Sequence, residues 1–600
     1  MRRFDDRPPW RRAAVVALVL GSLGWAAHRS GVHPARLLDP DGLSSALGIL
    51  SGFGHPDVSG DFLARVARLS LESLAIGVLG TALAAVLGVG MAVIGMRVPD
   101  LPDPPRGSWL VRAAAEALRL GVRFVLGVLR SIPDIVWALL FVRMLGLGPG
   151  PAVLAIAVST GGIMGKLFAE LAEAVDPGPI HALRRAGAGR LAVLVHGVLP
   201  QVQRSWVAYA LFRLECSIRS ASILGVVGAG GLGSEIALSV RYFQYDKLAT
   251  ALLAVLGFVA ATEAVSAALR RRSIRWTVAV IAVGSLASFL YLPIPWAELW
   301  RSSPLAGGLS VSSTWHVAEV ARRAWPLLVE TVAMAWCATL AAAAVAFLLA
   351  PLATRALVAG SYLRDPPRRR GPAFGLGLLA FAGARAVFQV CRAIPELTLA
   401  LLFVVWVRPG PFAGALAIAL HTVGVLGRLY GDVYEEVEPG PVAALEATGA
   451  SRFAVWLHAV VPQVGPRILA FTLYRFEVNV RMTAIVGFAG AGGIGDAIQT
   501  AISLFHMTEL AVLLAVILVA VTVLDRVGDQ LRYRILVARF ARTREGPRER
   551  PSRLSRFRMA PARAQQGERD VLHETRDRGG VPGDRDERGA RIRLLGPEEE

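Results

Sequence analysis

Cysteine and charge are both scarce in this chain. Three cysteines occur among 600 residues, Cys216, Cys337 and Cys391, all in or beside apolar segments and none at metal-ligand spacing. That excludes a disulfide framework and a zinc site, and the three read as small core residues. Charged residues make up 18% of the chain against 54% hydrophobic, with a mean hydropathy of +0.52, which describes an integral membrane protein. No span or loop carries a metal cluster or an acid and base pair, so a membrane enzyme is not expected and no catalytic residue is named. The formal charge of +19 would suit nucleic acid, but the arginines collect in short loops and tails beside apolar runs, where topology signals belong. Membrane lipid, and not nucleic acid, is the expected surroundings.

Two nucleotide signatures are also incomplete. GAGGLG from Gly228 and GAGGIG from Gly490 fit the dinucleotide fingerprint, yet neither is flanked by the strand and helix that fingerprint requires. GGIMGKL around Lys166 lacks the spacing and the Ser or Thr of a phosphate loop. The chain is therefore expected to hold no cofactor. The apolar run from Ala13 to Ala27 follows Arg2, Arg3, Arg11 and Arg12 as an export signal would, but a matching run from Trp276 to Leu292 follows RRRSIR inside the chain. An internal segment is not a cleaved signal, so both read as membrane anchors.

What is present is a repeat. RSIPDIVWALLFV from Arg130 aligns with RAIPELTLALLFV from Arg392, and GVVGAGGLG from Gly225 with GFAGAGGIG from Gly487, at a constant offset of 262 residues. Each unit holds six candidate spans, near 13–27, 73–95, 113–145, 151–170, 203–226 and 246–268, then 276–292, 329–350, 375–407, 412–431, 465–488 and 508–528. The expected organisation is an N-terminal segment 1–12, repeat one 13–272, repeat two 273–540 and a tail 541–600. Six crossings return the chain to its starting side, so the repeats are parallel, not inverted. With both termini cytoplasmic, the loop from Met96 to Arg112, the RRRSIR turn and the RDPPRRR loop around Arg364 all face the cytoplasm. The outward stretches 28–72 and 293–328 read as amphipathic surface helices, although Arg65, Arg68, Arg322 and Arg323 weaken the charge bias there. After Phe540 the composition is too polar to bury a core, and disorder is expected.

The most polar repeated stretch interrupts the hydrocarbon pattern twice, as AVDPGPIHALRRAGAGRLAVLVHGVLPQV from Ala174 and EVEPGPVAALEATGASRFAVWLHAVVPQV from Glu436. Each copy opens on Pro-Gly-Pro and runs as a short helix to Gly187 or Gly449. A second helix then leads to Pro200 or Pro462. The glycine permits a bend and the proline is expected to break the surface helix before the chain re-enters lipid. His196 and His458 are matched in the second helix and read as interface packing.

These stretches resemble the cytoplasmic loop of ABC importer permeases. Within that group, PGP, ATGASR, the PQV ending (LPQV in the first copy, VPQV in the second), LYRFEVNVR and VGFAGAGGIG in this order are similar to the phosphonate permease family over nearly all of each half. The resemblance implies an all-α integral membrane fold, about twelve transmembrane helices as two parallel six-helix repeats of the type I importer permease fold, fused in one chain. It also implies that Ala182, Leu183, Gly187 and Pro200, with Ala444, Leu445, Gly449 and Pro462, dock two ATP-binding subunits that carry ATP and Mg. An extracytoplasmic solute-binding protein would deliver a phosphonate or related phosphorus oxyanion. One departure concerns the acidic residue usual at the loop's start: His181 and Ala443 stand there, with Glu446 nearby in the second copy, which puts one polar contact in doubt. A secondary carrier with parallel repeats is the alternative, but it has no use for a duplicated docking loop.

Inside the spans, FRLECSIR and YRFEVNVR place Arg213, Glu215 and Arg219, and Arg475, Glu477 and Arg481. Such groups are costly in lipid. Glu215 with Arg219, and Glu477 with Arg481, have the i,i+4 spacing for pairing along one helix face. Equally, Arg219 and Arg481 could line a central path and attract an oxyanion. Gly228, Gly230, Gly231 and Gly233, with Gly490, Gly492, Gly493 and Gly495, read as close packing or a re-entrant turn, which the resemblance sets near an outward gate.

Overall fold

The computed structural model describes residues 9–97, 109–294, 296, 314–354, 372–504 and 506–543. The loop around Arg364, most of the Met96–Arg112 loop and the tail after 543 lie outside the described residues. The first half consists of α1 (Pro9–Arg29), α2 (Pro40–Gly54), α3 (Gly60–Gly95), α4 (Trp109–Ser131), α5 (Asp134–Leu145) and α6 (Pro149–Glu173). It continues with α7 (Pro177–Arg185), α8 (Arg190–Val227), α9 (Leu232–Arg241) and α10 (Tyr245–Arg270). The second half runs through α11 (Ile274–Tyr291), α12 (Thr314–Leu349), α13 (Pro372–Ala393), α14 (Glu396–Val407) and α15 (Pro411–Glu435). Its last elements are α16 (Pro439–Ala447), α17 (Arg452–Ala489), α18 (Gly493–Ser503) and α19 (Met507–Thr543).

Eight described helices are long and apolar enough to cross a bilayer, or eleven spans if each of three bent pairs counts as one. With α1, the elements fall on the twelve positions read from the sequence. α3 and α12 have 36 residues each, about 54 Å of helix against a hydrocarbon core of about 30 Å. The surplus carries Arg65, Arg68, Arg322 and Arg323 on exposed turns, which lets these arginines lie beyond the hydrocarbon core.

The expected single span 113–145 is broken: α4 and α5 meet at 90°. Pro133 lacks an N–H and disfavours helical backbone at the residue before it, so the helix stops and restarts. Pro395 does the same between α13 and α14. α5 and α14 have 12 residues each and are too short to cross alone.

Packing then joins the halves. Within the first half, α3 and α6 approach so closely that a Cβ on Gly88 would lie 3.1 Å from the Gly165 nitrogen, the small-residue contact typical of membrane helices. The opening helices are exchanged between halves: α1 lies on α12, where Trp336 Nε1 donates to Ser22 Oγ at 3.1 Å, and α11 lies on α3. One core crosses the midline, with Ile135, Val136, Ile223 and Leu224 from the first half and Val480, Ile485, Ile498 and Ile517 from the second.

Candidate functional site

The two polar loops fold alike. Asp176 Oδ1 accepts the Gly178 N–H at 3.0 Å, so α7 starts capped with Pro177 in its first turn. α7 ends where Gly187, at φ +79°, lets its N–H reach the Arg184 carbonyl at 2.9 Å and the Ala188 N–H reach that of Leu183 at 3.0 Å. This is a Schellman end, and its left-handed residue favours glycine. Gly449, at φ +76°, also ends α16 in the left-handed region, with its N–H on the Glu446 carbonyl at 3.0 Å. Ile180 and Val442 are wholly buried, holding each short helix to the next. Leu183 and Leu445 are half-buried, whereas Ala182, Gly187, Ala444 and Gly449 are exposed.

Two glutamines of the PQV motif complete the loops, a role sequence reasoning missed. Gln201 Oε1 accepts the Asp176 N–H at 3.0 Å and its Nε2 donates to the Gly197 carbonyl at 2.7 Å. Gln463 Oε1 accepts the Glu438 N–H at 3.1 Å and Nε2 donates to the Ala459 carbonyl at 2.9 Å. Each glutamine ties the loop's entry to its exit, 25 residues on. The expected break at Pro200 and Pro462 does not occur. Val193–Val198 and Trp456–Val460 take π-helical turns, and α8 and α17 run on through the prolines. The wider turn moves the carbonyl four residues back away from the proline ring, so the helix keeps its course. His196 and His458 both sit exposed in these turns, each with Nδ1 near the carbonyl four residues back, at 3.2 and 3.0 Å.

The intramembrane charges pair differently from the local expectation. Glu215 binds Arg270 at 2.8 Å and Glu477 binds Arg532; neither carboxylate takes the arginine four residues on. Arg219 instead lies 3.8 Å from Glu263, which also accepts from Arg392 at 2.7 Å. Arg481 lies 3.8 Å from Asp525, which also accepts from Arg130 at 2.9 Å. Each cluster thus joins a carboxylate and an arginine of one half to an arginine of the other, and the two clusters repeat at the 262-residue offset. Arg130 and Arg392 end α4 and α13, just before the proline breaks, so the break presents them to the opposite half. The Nε groups of Arg130, Arg213, Arg219 and Arg481 are buried without a hydrogen-bond partner among the described residues.

The halves are not identical at Arg213 and Arg475. Arg213 donates to Thr160 at 3.1 Å. Arg475 lies 3.5 Å from both Thr422 and Glu396, and Glu396 is 3.1 Å from His421 Nε2. Asn479 extends this buried network, donating to Thr339 at 2.8 Å. Ser217 and Ser159 occupy the matching places in the first half.

Both glycine stretches are turns between a long helix and a short one, bent by 44° at α8 to α9 and 49° at α17 to α18. Gly228, Gly230 and Gly231, and Gly490, Gly492 and Gly493, all have φ between +71° and +86°. Gly233 and Gly495 pack directly on the carbonyls of Ser222 and Ala484, leaving no space for a Cβ. The turns are fixed from outside by residues the sequence reading passed over. Ser73 Oγ accepts the Leu232 N–H at 2.9 Å, and Thr331 Oγ1 accepts the Ile494 N–H at 2.9 Å. Glu330 accepts the Gly493 N–H at 3.0 Å. LESLA from Leu71 and VETVA from Val329 carry these residues at an offset of 258, one helical turn short of the main repeat, which hides them from a search at 262.

The chain matches the model of the binding-protein-dependent transport system inner membrane component family twice, over residues 107–275 and 371–540. It is 32% identical to the phosphate-import permease protein PhnE of Mycolicibacterium smegmatis, covering 84% of this chain and 91% of that one. It is 35% identical to the phosphite transport system permease protein PtxC of Stutzerimonas stutzeri, covering 44% of this chain and 90% of that protein, which is one half against one whole relative. A solved structure titled as inward-facing MetNI methionine ABC transporter is 21% identical, covering 36% of this chain and 98% of that chain with a TM-score of 0.31. With the family model present twice on an all-helical membrane fold, this chain belongs to the binding-protein-dependent transport system inner membrane component family, as a permease subunit of an ABC importer with two permease units in one polypeptide.

Proposed function

We propose that the chain imports a phosphorus oxyanion, such as a phosphonate, phosphate or phosphite, through a path between its halves, with both termini in the cytoplasm. It is not an enzyme; hydrolysis belongs to a separate ATPase chain. In this reading two ATP-binding subunits carry ATP and Mg and grip the two loops, one at Ala182, Leu183, Gly187 and Pro200, the other at Ala444, Leu445, Gly449 and Pro462. An extracytoplasmic binding protein loads the outer side, where the turns at Gly228 to Gly233 and Gly490 to Gly495 form the gate. Arg213, Glu215, Arg219, Arg475, Glu477 and Arg481 flank the path.

The observation that carries the cargo class is the set of four half-buried arginines, Arg130, Arg213, Arg219 and Arg481, whose Nε donors are buried without a hydrogen-bond partner among the described residues. A tetrahedral oxyanion satisfies several such donors at once, and the planar guanidinium fork matches it. The named relatives for phosphate and phosphite agree. Loop pairs of like build support a two-sided drive, since ATP-driven closure of two motors rocks two rigid halves only if each half has its own attachment. Family membership removes the secondary carrier. The test is ATP-dependent uptake of labelled phosphate, phosphite and methylphosphonate into proteoliposomes holding the complete transporter. Uptake of at least one is expected; uptake of none, with another solute carried, would refute the cargo class.

A further inference from the structure

A cavity of about 240 Å³ opens between α13 and α15 in the second half, and Arg385, Gln389, Arg392, Arg428 and Asp432 line it. Three of these are cations, and their states differ. Arg385 is paired with Glu435 at 3.0 Å. Arg392 shares Glu263 with Arg219 and is steadied by Gln389 Oε1 at 3.0 Å. Arg428 makes no ion pair or hydrogen bond among the described residues. Among the described residues lining the cavity, Arg385, Arg392 and Arg428 stand with one carboxylate, Asp432; Glu435 and Glu263 pair Arg385 and Arg392 from beside it, which leaves Arg428 as the lining cation without an ion pair. Like charges held together at a roomy site favour an anion between them.

The first half does not repeat this arrangement. Lys166 stands at the position matching Arg428 and is paired with Glu170 at 3.5 Å, while Gly127 stands in place of Gln389. Arg392 belongs to both the inter-half cluster and the cavity, so it connects the two.

We propose that this cavity is a binding site for a phosphorus oxyanion leaving the path, held by Arg428 and Arg392, and that the first half lacks the counterpart. The proposal rests on the cargo class given above. An arriving oxyanion takes the fourth place in the Arg219–Glu263–Arg392 cluster and passes to the unpaired Arg428. The second half would then be the exit side of an asymmetric transporter.

The test is equilibrium binding of labelled inorganic phosphate to the full chain in phosphatidylcholine nanodiscs, compared among wild type, Arg428→Gln, Arg428→Lys and Lys166→Gln. Loss of one charge-assisted contact predicts about tenfold weaker binding for Arg428→Gln, with Arg428→Lys intermediate and Lys166→Gln unchanged. Equal loss at Lys166 and Arg428, or no loss at Arg428, overturns the site. Those results leave the cargo class standing, because uptake by the wild-type complex scores it separately. Repeating the titration with phosphatidylglycerol in the discs separates solute from headgroup: phosphate binding that disappears as the anionic lipid rises assigns the cavity to lipid and overturns the proposal, and binding that persists supports it.

Discussion

Gly233 and Gly257 illustrate how unlike two glycines of one membrane fold can be. A Cβ on Gly233 would collide with the Ser222 carbonyl, whereas one on Gly257, in α10, would meet nothing within 4 Å. Gly233→Ala should lower stability by about 1–3 kcal/mol through overpacking, and Gly257→Ala should be neutral or slightly stabilising. Thermal unfolding of the detergent-purified chain checks both, and a similar loss from each would show that the α8 to α9 turn is not packed as described. The charged residues show what residue-scale reading can and cannot reach. Arg219 and Arg481 were legible as costly groups with a purpose, because each stands in an apolar run. Their partners were not, since an i,i+4 carboxylate sat in view and distance along the chain hid the rest. Arg130 and Arg392 open segments that align at the 262 offset; the missed signal was that Glu263 and Asp525, acidic residues in spans, recur at the same offset.

At the scale of elements, the repeated loop is a helical hairpin closed by one glutamine and turned at one left-handed glycine. Removing the glutamine clamp by Gln201→Ala leaves the Asp176 N–H and Gly197 carbonyl without that partner, at about 0.5–1.5 kcal/mol locally. The expected result is a loop that still forms but couples poorly: ATPase activity of the complete transporter persists while uptake per ATP falls. Unchanged coupling would reduce the clamp to incidental contact. Gly187→Trp and Gly449→Trp address the outer face. Both glycines have open space where a side chain would project, so the fold tolerates the change at roughly 1–2 kcal/mol of backbone strain, and the bulk lies where an ATPase would sit. Loss of ATPase copurification with a monodisperse permease is expected, and intact copurification would contradict docking there. The two loops also differ in charge. Arg184, Arg185 and Arg190 dominate the first, while Glu436, Glu438 and Glu446 outweigh Arg452 in the second. The spans and these hairpins were legible from hydropathy and punctuation. The π turns were not, because a proline after a polar stretch ordinarily means a stop.

At the scale of the whole molecule, the halves hold each other in two ways besides the apolar core that crosses the midline. Their opening helices are exchanged, and two carboxylates each bridge arginines from both sides of the midline. Asp525→Asn would leave Arg130 and Arg481 facing each other in a poorly solvated interior, a loss of about 3–5 kcal/mol by the usual behaviour of a broken buried pair. Adding Arg130→Gln should recover part of it, and a double-mutant cycle in thermal unfolding reads the coupling; additive losses would mean that the bridge contributes nothing between halves. The exchange leads to the larger expectation. α1 finds its apolar contact on α12 and α11 on α3, so neither half alone covers its own surface. If the chain is cut between Arg272 and Ser273 and the pieces are produced together, they should copurify as one complex that retains ATP-driven uptake, because the contacts that join them do not depend on the peptide link. Produced singly, each piece should aggregate or be degraded. Two separately stable, monodisperse pieces that ignore each other would show that the fusion merely tethers two complete permeases, and the inter-half clusters would then have no structural task.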